Sequence, residues 1–298
     1  MSSPGADLRL AFLGTPDPAV VTLRALLEAG HDVAIVVSRA DARRGRRQEP
    51  APSPVKAAAL DLGLTVTERV DDVLGAGAEL GVVVAYGRII KPDVLAALPL
   101  VNVHFSLLPR WRGAAPVERA ILAGDTTTGV TLMALDEGLD TGPVYRRAEV
   151  AIGEEETAAQ LRSRLAALGA TVVVDALAGG LGSPEPQVGE PTYAAKVTPA
   201  DLELRWEQPA RQLLRVVRVG RAWTTWRGRR LLVLAAKEVE APSGPSDAGA
   251  APGQLSGDVV ATGYGALRLV SVRPEARPAL DAAEWLRGAR LDPGEGLG

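Results

Sequence analysis

Apolar positions along the chain follow two rhythms. Leu8 to Leu13 is a short apolar run ending at Gly14-Thr-Pro-Asp17; Val20, Leu23, Leu26 and Leu27 then recur at helical spacing, and Val33 to Val37 is a second run. That order predicts strand, helix, strand, with the two strands parallel. Ser53 to Leu62 reads as a helix with Pro54 in its first turn, where the missing N–H goes unneeded. Val82 to Ala85 and Leu100 to His104 are continuous apolar runs, the pattern of strands in a sheet covered on both faces. Thr128 to Leu135 and Val144 to Ile152 add two more strands, and Glu156 to Leu177 is a long amphipathic helix with Leu161, Leu165 and Leu168 on one side. The expected fold class is α/β, built on a Rossmann-like open, mostly parallel sheet. Ligands of such sheets sit beyond the carboxyl ends of the strands, where Tyr86, Gly87, Asn102 and His104 fall.

Past Gly179-Gly-Leu-Gly the periodicity stops and Pro and Gly concentrate. The expected division is a catalytic domain over 1–180, a linker over 181–202 and a smaller C-terminal domain over 203–298. In the last part Ala210 to Val219 reads as a helix, and Leu231 to Ala235, Gly257 to Ala261 and Ala266 to Val272 as short strands. These suit a small β-barrel of the oligonucleotide-binding (OB-like) type. Ala241 to Pro252 reads as a flexible loop.

Composition narrows the chemistry. The 298 residues, 47% of them hydrophobic, can build a sizeable core. With no Cys, disulfides, Cys-based zinc sites and thiol nucleophiles are excluded. The N-terminus lacks a basic stretch followed by an apolar one, and no apolar run reaches membrane-spanning length. A soluble, cytoplasmic protein is expected, without a membrane partner.

Net charge is −3, unevenly spread: residues 1–202 carry 19 basic and 25 acidic side chains, residues 203–298 carry 14 and 11. Between Glu207 and Glu238 stand Arg211, Arg215, Arg218, Arg221, Arg227, Arg229, Arg230 and Lys237 with no acidic residue, and Trp223 and Trp226 are interleaved. Such a stretch can track a phosphate backbone and stack on bases, or it is a solvated helix face with two core Trp residues. A second cluster, Arg39, Arg43, Arg44, Arg46 and Arg47, follows the second strand.

Two segments carry candidate chemistry. Asn102 and His104, two apart on a strand, point to the same side; if Asp140, on the Gly-flanked loop Asp136-Glu-Gly-Leu-Asp-Thr-Gly142, reaches that spot, the site holds an amide donor, an imidazole and a carboxylate. This set suits attack on a carbonyl by an external nucleophile. Gly14-Thr-Pro-Asp17 has neither the ending of a phosphate loop nor the spacing of a dinucleotide fingerprint. Two His residues far apart in sequence do not make a His-based metal site.

Asn102-Val-His-Phe-Ser-Leu-Leu-Pro-Arg-Trp-Arg-Gly-Ala-Ala-Pro116, Gly129-Val-Thr-Leu-Met, Gly138-Leu-Asp-Thr-Gly142 and Ser53-Pro-Val-Lys56 together resemble the methionyl-tRNA formyltransferase family, from about residue 8 to the C-terminus. The resemblance implies a formyltransferase catalytic domain in which Asn102, His104 and Asp140 are catalytic. It implies that Ser106, Leu107, Leu108 and Pro109, with the segment around Tyr86 and Gly87, form the folate site. Arg39, Arg43, Arg44, Arg46 and Arg47, with Arg215 and Arg218, would meet the tRNA. The implied co-substrate is 10-formyltetrahydrofolate, the partner initiator methionyl-tRNA, with no metal and a monomeric state. One departure is Pro18, where the family commonly has an aromatic residue. The competing readings are a formyltransferase acting on a nucleotide-linked amino sugar, and a folate- or RNA-binding module without catalysis.

Overall fold

In the computed structural model, which describes residues 8–43, 49–239, 250–292 and 294–298, the chain forms two units. The first comprises 1–117, 127–151 and 161–195; the second comprises 118–126, 152–160 and 196–298. Its elements run β1 (Arg9–Gly14), α1 (Asp17–Glu28), β2 (Asp32–Val37), α2 (Pro54–Asp61), β3 (Val66–Thr67), a 3-10 turn at Val70–Gly75, β4 (Leu80–Val84), α3 (Pro92–Ala97), β5 (Leu100–His104), β6 (Arg112–Gly113), α4 (Pro116–Ala123), β7 (Thr127–Ala134), β8 (Val144–Ala151), α5 (Ala158–Ala178) and β9 (Tyr193–Ala194).

Seven of these strands make the sheet β3-β2-β1-β4-β5-β7-β8. β1, β2, β3, β4 and β5 are parallel, whereas β7 runs antiparallel to β5, and β8 to β7. The mostly parallel α/β sheet expected from the continuous apolar runs is therefore present. Local chemistry explains its helix starts. The Ser53 side chain accepts from the Lys56 N–H at 3.1 Å and caps α2. Pro18 lies in the first turn of α1, where a proline removes no helical hydrogen bond.

A single glycine sets how α5 lies on the sheet. A Cβ at Gly169 would stand 2.7 Å from Val103 Cγ1, so α5 approaches β5 closely on the face to which Val103 points. Because side chains alternate along a strand, Asn102 and His104 project from the opposite face. The fold thus buries one side of β5 under a helix and leaves the other for chemistry.

The second unit, which also takes most of α4, adds α6 (Ala210–Val219), β10 (Ala222–Trp226), β11 (Arg229–Val239), β12 (Leu255–Ser256), β13 (Val259–Ala261), β14 (Ala266–Pro274), β15 (Leu280–Asp281) and α7 (Ala282–Ala289). Its antiparallel sheet runs β10-β11-β14-β13-β12, with β15 paired to β14. Residues 294–298 reach both ends of that path: Gly298 N–H donates to Thr225 O at 3.0 Å and Leu255 N–H to Glu295 O at 3.0 Å. Trp206, Leu213, Val217, Leu231, Val233, Leu267 and Trp285 fill the core. The α6 boundaries match the apolar spacing; β10 and α7 had no clear signal in it. Most of the Ala241 to Pro252 segment, through residue 249, lies outside the described residues.

The two interleaved tryptophans are partly buried, in line with the core alternative that the sequence left open. Trp223 and Trp226 pack against the core. Their indole N–H groups donate to Pro199 O and Glu295 Oε1, both at 2.8 Å, and Arg230 and Arg227 lie over their rings. Side chains alternate along β10, so Trp226 shares the face of the buried Ala222 and Thr224 and meets Trp285 edge-on, whereas Trp223 lies on the other face.

Candidate active site

Asn102 and His104 sit in the middle of the first unit's sheet, at the end of β5. Asn102 pairs with Val83 of β4 and Met133 of β7, and His104 with Thr131 of β7. His104 is 6% exposed. Its Nε2 lies 2.9 Å from the Trp111 carbonyl oxygen. A carbonyl only accepts, so Nε2 carries a proton and donates to it. The Asn102 side chain makes no hydrogen bond among the described residues, which leaves its amide free for a ligand.

Asp140 reaches the same spot by an indirect route. β7 is antiparallel to β5, so its last residue, Ala134, lies beside Val101 rather than beside His104. The 135–143 loop must fold back over the sheet. Two residues make that possible: Asp140 itself, in the left-handed region at φ +52°, and Gly142, where a Cβ would stand 1.9 Å from Ala134 O. Asp140 Oδ2 ends 3.7 Å from His104 Nδ1, an ion-pair separation longer than a hydrogen bond. The Gly113 N–H donates to the same oxygen at 2.8 Å and holds it there. The three residues singled out in the sequence are therefore brought together.

The expected folate residues divide by where their side chains go. Ser106 is fully buried, and its hydroxyl donates to Arg110 O. Leu108 packs with Met133 and Val144, and Tyr86 turns its ring into the cluster with Val73 and Val94. Burial pushes the Tyr86 phenol above its usual pKa. These three can offer a ligand only their backbone. Leu107 and Pro109 are partly exposed, and Gly87 is exposed with open space where a Cβ would stand.

Three supporting residues escaped the sequence reading. Thr131 donates to Ser106 O at 2.7 Å and accepts from Leu108 N–H at 3.1 Å, shaping the turn after β5. Thr192 Oγ1 accepts from Trp111 N–H at 2.9 Å. Gln187 binds the Asp140 loop. The latter two lie in the stretch expected as linker, where Pro and Gly erase any periodic signal; only two isolated polar side chains marked them.

Among the expected tRNA contacts, Arg39 and Arg43 are exposed, and Arg44, Arg46 and Arg47 lie outside the described residues. Arg218 is committed elsewhere: its guanidinium donates to Glu156 O at 2.9 Å and Gly153 O at 2.8 Å, and burial lowers its pKa. Arg215 leans on Ala123 O at 3.5 Å. Both line a groove of about 500 Å³ in the second unit, whose walls mix Arg211 and Lys237 with Glu154 and Glu155 and include none of the three candidate catalytic residues. Among the described residues no helix is long and apolar enough to cross a membrane.

Comparison with known proteins agrees with this geometry. Residues 8–177 match the family model described as formyl transferase, and residues 196–290 the formyl transferase C-terminal domain. The methionyl-tRNA formyltransferase of Dinoroseobacter shibae is 45% identical over 96% of this chain and 100% of its own length; that of Acidothermus cellulolyticus is 41% identical over 96% and 99%. Among solved structures, HypX from Aquifex aeolicus in complex with tetrahydrofolic acid aligns with TM-score 0.65 at 18% identity, over 94% of this chain and 47% of that one, so this chain spans about half of HypX. The N-formyltransferase from Helicobacter canadensis in complex with folinic acid and dTDP-3-aminofucose aligns with TM-score 0.66 at 14% identity, over 88% and 99%. At these identities the structures speak for the fold. Full-length identity above 40%, on a sheet that unites an amide, an imidazole and a carboxylate, shows that the chain belongs to the methionyl-tRNA formyltransferase family.

Proposed function

We propose that this protein transfers the formyl group of 10-formyltetrahydrofolate to the α-amine of methionine esterified to initiator tRNA, acting as a monomer in the cytoplasm. The observation that carries the reading is His104, gripped between the Trp111 carbonyl and the Asp140 carboxylate on the strand that also bears the unpartnered Asn102 amide. That amide can meet the oxygen of a formamide, and the exposed backbone at Gly87 carries no side chain to obstruct a ligand. The co-substrate supplies the formyl carbon.

The amine nitrogen forms a bond to that carbon, the bond from carbon to N10 breaks, and the proton lost by the amine ends on N10. Asn102 donates its amide N–H to the negative charge developing on the formyl oxygen. His104 takes up and returns the proton through Nδ1, and Asp140 stabilises the doubly protonated ring. A neutral ester-linked amine is already a competent nucleophile, so the protein's main tasks are orientation and charge stabilisation.

For the tRNA, exposed Arg39 and Arg43 and the basic second unit offer phosphate contacts. The full-length relatives support a tRNA substrate over an amino sugar, since they carry the methionyl-tRNA name at 41–45% identity. The test is to incubate purified protein and 10-formyltetrahydrofolate with charged initiator tRNA and, in parallel, with a UDP-linked amino sugar. Formyl-methionine on the tRNA is expected. Formyl on the sugar alone would transfer the assignment to that substrate, and formyl on neither would make the chain a binding module.

A further inference from the structure

We propose that Gln187 is the positioning residue that sets the separation of His104 and Asp140. Its Nε2 donates to Asp140 O at 2.8 Å and to Gly142 O at 2.9 Å. Its Oε1 accepts from Arg112 Nε at 3.1 Å and Nη2 at 2.7 Å. A primary amide has two N–H donors and two acceptor lone pairs, and all four are used. The amide orientation is forced, because guanidinium only donates and the two carbonyls only accept.

The position of those four bonds gives them their consequence. Arg112 lies between Trp111, whose carbonyl holds His104 Nε2, and Gly113, whose N–H holds Asp140 Oδ2. The other two bonds end on the loop that carries Asp140. One side chain therefore ties together the two segments that grip the imidazole from its two nitrogens. Asp140 also gains from this support: it stands in the left-handed region at φ +52°, which residues with a Cβ adopt less readily than glycine. Gln187 supplies it by fixing the carbonyl of Asp140 and that of Gly142. The inference rests on the formyl-transfer reading for its kinetic part only.

The test uses the full chain with Gln187→Ala and Gln187→Glu. The glutamate keeps both acceptors for Arg112 but has no donor for the two carbonyls. Displacing a catalytic pair by about 1 Å costs on the order of a hundredfold in rate, so kcat should fall at least about tenfold in both variants, with KM for tRNA and for the formyl donor changed by less than about twofold. A second readout needs no activity. The chain has two histidines, so ¹⁵N-labelled imidazoles give two ring patterns; that of His104 should change in both variants and that of His31 should not.

A kcat within about twofold of the parent in both variants overturns the proposal, and so does an unchanged His104 ring pattern. If Gln187→Ala does not fold, Gln187→Met, of similar length and without donors, takes its place under the same criteria. Should the parent protein formylate nothing, the functional reading fails, and the ring spectra alone decide whether Gln187 positions the pair.

Discussion

Thr131 stands directly across the β5–β7 ladder from His104, and its hydroxyl joins the two backbone groups that shape the chain just beyond the histidine. Removing that hydroxyl without changing shape isolates its role. Thr131→Val should leave Ser106 O and Leu108 N–H unsatisfied in a buried place, at about 1–3 kcal/mol for each such group. Urea unfolding should show a lower midpoint with an unchanged slope. An unchanged midpoint would mean that the turn holds itself.

Removing the reacting groups should affect turnover and not binding. His104→Ala and Asp140→Asn are each expected to lower kcat by about two orders of magnitude or more, as loss of a positioned proton-transfer or charge-stabilising group does. Affinity for a folate analogue, measured by calorimetry, should stay within about twofold. Near-normal turnover in either folded variant would remove that residue from the mechanism.

The close approach of α5 to β5 predicts a steric effect on chemistry from the far side of the sheet. Gly169→Val pushes new methyl groups against Val103, and overpacking of this kind costs about 1–3 kcal/mol. Because Val103 lies between Asn102 and His104, the same substitution should lower kcat as well as the melting temperature. A fall in melting temperature with intact kcat would show that β5 does not transmit the displacement.

Arginines named for one role divide into two by their contacts. Arg39→Ala with Arg43→Ala should raise KM for charged tRNA and flatten its dependence on salt, since each lost phosphate contact releases fewer counterions. Stability should not change, because both are exposed. Arg218→Ala should do the reverse, lowering the unfolding midpoint by stripping donors from Gly153 O and Glu156 O. Salt slopes and thermal scans on the same preparations separate the two; an equal slope in all proteins would show that Arg39 and Arg43 contact no phosphate.

Asp201 ties the acid stability of the second unit to Arg119. The Arg119 hydrogen bonds, followed by the Thr198 backbone N–H, lower its pKa from 3.8 to about 2. A carboxylate depressed in the folded state contributes stability that is fully present above the unfolded value and lost as pH falls through the folded one. The contribution is at most about 1 kcal/mol, because the pair is largely solvent-screened. Asp201→Asn should therefore be less stable than the parent at pH 5, with the gap in urea midpoint narrowing as pH falls from 4 to 2. A gap as wide at pH 2 as at pH 5 would place its cause in packing and not in charge.

Periodicity alone was enough for the strands and helices that bury a whole face, because burial imposes a repeat of two or 3.6 on the residues themselves. β5 and α6 have the limits that their apolar spacing announced. The pairing of Asn102 with His104 was legible for the same reason, as two positions of one strand. β6 and β9 were not, since two residues carry no repeat, and neither was β10, whose Ala-Trp-Thr-Thr-Trp forms no continuous apolar run.

The rest is decided by tertiary structure. Sequence named Asp140 as a candidate, but a loop that leaves β7 beside Val101 has no local reason to return to His104; the return depends on a left-handed residue, on a glycine packed against Ala134 O, and on a glutamine 47 positions further along the chain. The charge of Arg218 and the aromaticity of the two tryptophans are visible in sequence, but what each one touches within the fold is not. Their partners are backbone carbonyls and a glutamate distant in the chain, and such long-range hydrogen bonds leave no periodic trace in the residues that make them.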